Sequence, residues 1–203
     1  MIRPSLALAA LTLALGLASP PLAAEKPSPR QAQACAAART LVEDVFRRST
    51  PGKTAFSNGA ADSVRRLVAD PQLDIAAYPP SRWRPAQDGP DIVKPPAAAT
   101  IRAFKAATPA NALDCPAVRD EAGKRGARLD ATVEAVAGPK PTGPYTHLIY
   151  GLSLPVVSPD GTEALAYAGV AGAPLAGFGG LVLMRRDPYG DWRIVGSLGL
   201  WIS

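Results

Sequence analysis

The sequence predicts an α+β fold, with N-terminal helices packed on a C-terminal antiparallel meander sheet of about five strands. Two patterns and one bulk property predict it. Apolar residues recur at helical spacing up to about residue 126 and alternate with polar ones from Arg128 onward. Ser158-Pro159-Asp160-Gly161 and Asp187-Pro188-Tyr189-Gly190 are turn sequences that join successive strands as hairpins. The 203 residues are 47% hydrophobic and 19% charged, enough to bury a core, and their 22 prolines and 18 glycines imply many loops.

Residues 1–24 read as a secretory signal rather than as part of the fold. Arg3 precedes the apolar run Leu6–Ala18, and Ala23 and Ala24 supply the small residues of a cleavage site before Glu25. The run is shorter than the ~20 residues a membrane-spanning helix needs, and no later apolar run reaches that length. The expectation is a periplasmic or secreted protein, cleaved near Ala24, with no stable membrane span after processing. Residues 25–203 then form one α+β domain, helical over 28–126 and sheet over 128–203.

Ser28-Pro29-Arg30-Gln31 opens the first helix, predicted over 30–49. Ser28 can cap free N–H groups, Pro29 suits the first helical position, and Gln31 can reach back as in a capping box. Ala34, Ala38, Leu41 and Val45 make its apolar face. Arg47 and Arg48 sit at the negative end of its dipole, and Pro51-Gly52 stops it. A shorter helix covers about 59–70, with Val64, Leu67 and Val68 inward and Asp70-Pro71 at its end. Residues 78–100 carry Pro79, Pro80, Pro85, Pro90, Pro95 and Pro96, a spacing that forbids a regular helix and any central strand. With Tyr78 and Trp83 among them, they read as a loop packed on the domain. Short helices are expected over Ala97–Ala107 and over 116–125, the latter begun by Asp114-Cys115-Pro116 and closed by Gly126.

Strands follow. Leu129, Ala131, Val133 and Ala135 alternate with Arg128, Asp130, Thr132 and Glu134, which predicts the first strand there. Leu148, Tyr150, Leu152 and Leu154 alternate next. Glu163–Val170, Phe178–Arg186 and Asp191–Ile202 complete the meander, with Trp192, Ile194, Gly196 and Leu198 sharing a face of the last.

One histidine and two cysteines exclude a zinc site built from those residues alone, and no motif calls for a cofactor, so none is expected. The formal charge of +5 comes from scattered pairs such as Arg47–Arg48, Arg65–Arg66 and Arg185–Arg186, interleaved with Asp44, Asp62, Asp120 and Glu121. Nucleic-acid readers gather positive charge on one face, so no nucleic-acid partner is expected. Gly177-Phe178-Gly179-Gly180 resembles a fragment of a phosphate-cradling loop, but a strand follows it where such a loop needs a helix; it reads as part of a hairpin. Gly151-Leu152-Ser153-Leu154-Pro155 does not make a nucleophile elbow, which leaves Ser153 an ordinary strand residue. His147 is the sole imidazole, with no nucleophile assigned to it by any motif, and a structural or surface role is favoured. Asp130, Glu134, Asp160 and Glu163 could act as paired carboxylates in glycoside hydrolysis, and they fit exposed strand and turn positions equally well. Trp83, Trp192 and Trp201 could stack sugars, but core packing and hairpin anchoring are commoner tasks for such residues. No catalytic or metal-ligating residue is therefore assigned, and the residues of any binding site stay unidentified.

The C-terminal third carries a resemblance. Ser153-Leu154-Pro155-Val156, Ser158-Pro159-Asp160-Gly161, Ala164…Tyr167, Leu175…Gly177-Phe178-Gly179, Gly190-Asp191-Trp192-Arg193-Ile194-Val195 and Trp201-Ile202-Ser203 are quoted as they stand. This pattern resembles that of small exported bacterial proteins of unknown function with a C-terminal tryptophan-x-serine signature, over roughly residues 145–203. Its motifs are structural, not catalytic. Members of the group often have cysteines in the glycine-rich loop; Gly172 and Ala176 stand there in this chain, so any chemistry of such a pair is absent. The order of helices before a meander is also similar to the cone-shaped, nuclear-transport-factor-like fold, a likeness that implies no activity.

These readings together favour a non-enzymatic envelope module that binds an unidentified protein or small ligand, with a carboxylate-dependent hydrolase of an envelope polymer as the alternative. Cys35 and Cys115 are expected to form a disulfide, because an exported chain with two cysteines leaves none over and an oxidising compartment lets the bond persist. Two buried free thiols are the alternative. The bond would staple the first helix to the segment before the sheet, closing a loop worth ~4.5 kcal/mol in the chain-entropy account.

Overall fold

The structure is a computed structural model and describes residues 27–132, 135–136 and 144–202. The expected leader and residues 133–134 of the expected first strand lie outside the described residues. The elements in chain order are α1 (Pro29–Arg48), β1 (Thr54–Ser57), α2 (Ala60–Ala69), β2 (Trp83–Pro85), α3 (Ala98–Ala106), α4 (Pro116–Lys124), β3 (Leu148–Leu152), β4 (Val156–Val157), β5 (Glu163–Ala173), β6 (Ala176–Arg186) and β7 (Trp192–Ile202). All four expected helices form, each to within a residue of the expected limits. Ser28 Oγ accepts from the Gln31 N–H at 3.2 Å, and Arg47 and Arg48 close the last turn of α1.

The fold class is α+β, and the strands β5, β6 and β7 make an antiparallel meander. The sheet is larger than the five strands expected. Among the described residues it has seven, in the order β1-β3-β5-β6-β7-β2, with β4 also paired to β5. Its outer strands come from the half of the chain read as helical. β1 runs parallel to β3, and β2 runs antiparallel to β7. Four residues and three residues are too short to show an alternating pattern, which is why neither strand is visible in the sequence. β2 contains Pro85 and lies at the edge, where a proline is tolerated because its missing N–H faces away from the ladder.

The strand expected over 128–135 does not form among its described residues, 128–132 and 135. Among the described residues, Arg128 alone makes a parallel bridge to Ala55, and Asp130 turns the chain with φ at 55°. Arg119 and Asn58 hold the Asp130 carboxylate at that turn. The segment still satisfies the open edge of β1: Phe56 N–H donates to Arg128 O and Ala131 N–H to Phe56 O, both at 2.8 Å. A chain laid along a strand edge places alternate residues inward, as Ala131 does, and so imitates the pattern of a strand.

Helices cover both faces of the sheet. Strand alternation separates the two cores. Ala164, Ala166 and Met184 point toward α1 and α4, where Ala34, Ala38, Leu41, Val45, Cys115, Val118 and Ala122 are buried. Leu165, Tyr167, Leu181 and Leu183 point the other way, toward Val64 of α2, Ile101 and Phe104 of α3, and Ile75, Trp83 and Val93 of the proline-rich segment. That segment is packed on the domain, as its aromatic residues suggested. Cys35 and Cys115 are bonded, with Cα atoms 5.7 Å apart and 80 positions of chain between them, tying α1 to the start of α4. Among the described residues, no helix is long and apolar enough to cross a membrane.

Candidate functional site

α1 crosses the sheet but does not cover all of it. Past its last turns, the same sheet face opens as a cavity of about 590 Å³, between α1, Pro85–Ala86 and strands β3, β5, β6 and β7. The cavity exists because of a row of small residues. Ala168, Gly180 and Gly199 are register partners across β5, β6 and β7, so three adjacent strands present no side chain larger than a methyl. A Cβ built on Gly199 would meet nothing within 4 Å. Larger residues bound the trench: Leu152, register partner of Ala168, at its β3 end, Val182 and Ile194 on its inner side, and Tyr150, Val170 and Phe178 on its outer side. Leu41 and Val45 of α1 form the roof.

The sheet bends around this space through irregular pairing. Register shifts lie between Gly179 and Gly180 and between Leu183 and Met184, each opposite an extra residue of β7. Such bulges bend a strand and increase its twist. Glycine is required at the first of them, because a Cβ on Gly180 would lie 2.0 Å from Leu198 O. Gly179, on the opposite face, makes room for Trp201, whose Nε1 donates to Tyr167 Oη at 3.1 Å.

Polar groups gather where α1 ends. Asp44 and Arg48 line the cavity, and Ser49, just beyond α1, is hydrogen-bonded to Tyr150 Oη at 3.0 Å. Asp44 is held between two arginines: its Oδ1 accepts from Arg47 Nη2 at 2.9 Å and Arg48 Nη2 at 3.1 Å, and its Oδ2 lies 2.9 Å from Arg48 Nε. A smaller cleft of about 190 Å³ adjoins, lined by Thr40, Arg47, Asp88 and Arg193 with residues of the main cavity. The outer rim is apolar and exposed, with Leu148, Phe178 and Ile202 on the cavity face.

Of the residues singled out in the sequence, Gly177–Gly180 line the cavity, and the described serine, histidine, carboxylate and tryptophan candidates do not. Ser153 is buried in the kink between β3 and β4, where its Oγ accepts from Tyr167 N–H at 2.8 Å. His147 contacts Thr146 Oγ1 at 2.9 Å, outside the cavity. Asp130 is ion-paired with Arg119, whose hydrogen bonds hold its carboxyl below the usual aspartate range, assisted by Asn58. Asp160 organises the Ser158–Gly161 turn, and bonds from Ser158 and Thr162 lower its carboxyl likewise. Glu163 Oε2 accepts from Ala97 N–H and Thr100 Oγ1, both at 2.8 Å, while its Oε1 accepts from Arg185 Nε. The carboxylates of Asp130, Asp160 and Glu163 are held by different partners, and Glu134 lies outside the described residues. Trp83 is core, Trp192 is buried with Arg186 5.0 Å above its ring, and Trp201 packs over Gly179. The glycine-rich stretch is strand β6, and its glycines serve the cavity floor and the bulge. Sequence reasoning missed the cavity, although a signal was present. Ala168, Gly180 and Gly199 each occupy a strand position where one face alternates through alanine and glycine.

No protein-family model, no curated protein and no solved structure matches the chain.

Proposed function

We propose that the chain is a non-enzymatic binding module of the cell envelope that takes a small, largely apolar ligand into the cavity on the sheet. The carrying observation is the trench of Ala168, Gly180 and Gly199, roofed by Leu41 and Val45. A cavity of about 590 Å³ lies within the usual ~300–1,000 Å³ of small-molecule sites, which are mostly apolar with few polar groups at fixed points. The hydrolase alternative needs two facing carboxylates. Asp44 is the one carboxylate among the lining residues, and two arginines engage it. Export is proposed on the leader-like residues 1–24 together with the Cys35–Cys115 bond, which an oxidising compartment preserves.

Fluorescence titration with N-phenylnaphthylamine, which brightens in apolar surroundings, tests the site. The protein should bind the probe saturably at one site per chain. Gly199→Phe, which places a ring in open space on the trench floor, should weaken binding at least tenfold while leaving the melting temperature within a few degrees. Unsaturable binding, or equal affinity in the folded Gly199→Phe variant, would sink the reading.

A further inference from the structure

We infer that the ligand is an amphiphile with a single apolar body and a carboxylate head, and that Arg48 is the residue that selects the head. This rests on the cavity being the binding site and adds what stands at its mouth. Arg48 lines the cavity with its side chain 54% exposed, whereas Asp44 is 16% exposed. A guanidinium has five N–H donors. Arg48 turns its Nε and Nη2 edge to Asp44, which leaves the Nη1 amino group and one Nη2 proton without a partner among the described residues. Asp44 is differently placed: both of its oxygens are occupied, one of them twice. A ligand head arriving at the mouth therefore meets free donors and no free carboxylate.

The neighbouring charges sharpen the choice. Arg47 is drawn away, with Nη1 3.4 Å from Asp88 Oδ2 and Nη2 on Asp44. Arg193 is bonded to Asp187 at 2.7 Å. Arg48 is thus the cation whose remaining donors are available to a molecule lying in the cavity. An ammonium head would face an arginine, a neutral head would take a hydrogen bond without charge, and a carboxylate takes both. Arg48 shares the cavity lining with Leu41, Val45 and Ile194, so one site offers an apolar wall to the body of a ligand and a cation to its head. One monoanion suits one exposed arginine; a doubly charged phosphate would bring a second negative charge toward Asp44.

Displacement of N-phenylnaphthylamine by three amphiphiles with the same twelve-carbon chain tests this: dodecanoate, dodecanol and dodecyltrimethylammonium, below their micelle concentrations at low ionic strength. Dodecanoate should compete about tenfold more strongly than dodecanol, with the cation weakest, and added salt should narrow the gap. In Arg48→Gln the dodecanoate-to-dodecanol ratio should fall to about one, whereas Arg47→Gln should keep the preference. Equal competition by all three with the native chain overturns the head assignment but leaves an apolar site standing. A preference that survives Arg48→Gln overturns the role of Arg48. If the probe binds and none of the three displaces it, the amphiphile itself is the wrong class; if the probe does not bind, the cavity reading fails first.

Discussion

At the scale of single residues, Glu163 shows how one carboxylate can join distant parts of the chain. It opens β5, yet it accepts from the N-terminus of α3 and from Arg185 of β6, with its side chain 13% exposed. The negative charge faces the positive end of the α3 dipole, where a carboxylate is most effective. Glu163→Gln keeps the shape but removes the charge and turns an amide N–H₂ toward groups that are themselves donors. It should cost about 2 kcal/mol, the range for hydrogen bonds to charged groups in partly buried sites. Urea unfolding with an unchanged slope would show this as a lower midpoint; an unaltered midpoint would mean that water replaces the carboxylate without loss.

At the scale of elements, the β5–β6 hairpin carries an avoidable strain. Its two-residue tip is Pro174-Leu175, and Leu175 adopts φ 56° while 88% exposed. A left-handed backbone disfavours a branched side chain by roughly 1–2 kcal/mol, and so exposed a leucine recovers little by packing. Leu175→Gly should therefore raise stability by about 1 kcal/mol and the melting temperature by about 2–4 °C, the shift expected for a chain of this size. A lower melting temperature would show instead that Leu175 makes contacts that outweigh its backbone. The adjoining strands explain why the cavity survives folding. Leu41 and Val45 of α1 are packed in the core that includes Met184 of β6 and Trp192 of β7, which anchors the roof beside the Ala168–Gly180–Gly199 row.

At the scale of the whole molecule, the disulfide links the layer of α1 to α4 across 80 positions of chain. Most of the loop it closes is the proline-rich segment, α2 and α3, which pack on the opposite face of the sheet. Breaking it returns entropy to the unfolded chain rather than removing many native contacts. The paired variant Cys35→Ser with Cys115→Ser should lose up to ~4.5 kcal/mol, a drop in melting temperature on the order of 10 °C. Identical melting of the oxidised and reduced proteins would show that the bond leaves the unfolded state unconstrained.

The sequence by itself determined the four helices, the meander of β5 to β7, the turns that join it and the pairing of the two cysteines. Each of these rests on local chemistry: a cap and a stop, a period of two, a proline-glycine turn, or a count of thiols. Tertiary structure decided the rest. β1 and β2 are too short to carry a period and exist because β3 and β7 offer open edges. Residues 128–131 look like a strand but lie along an edge, because Asp130 turns with Arg119 and Asn58 on its carboxylate. Distribution of the helices over both faces depends on where each loop can reach, which no local pattern encodes. The cavity is of the same kind. Ala168, Gly180 and Gly199 are unremarkable apart, and they make a trench only when the register aligns them and α1 spans above.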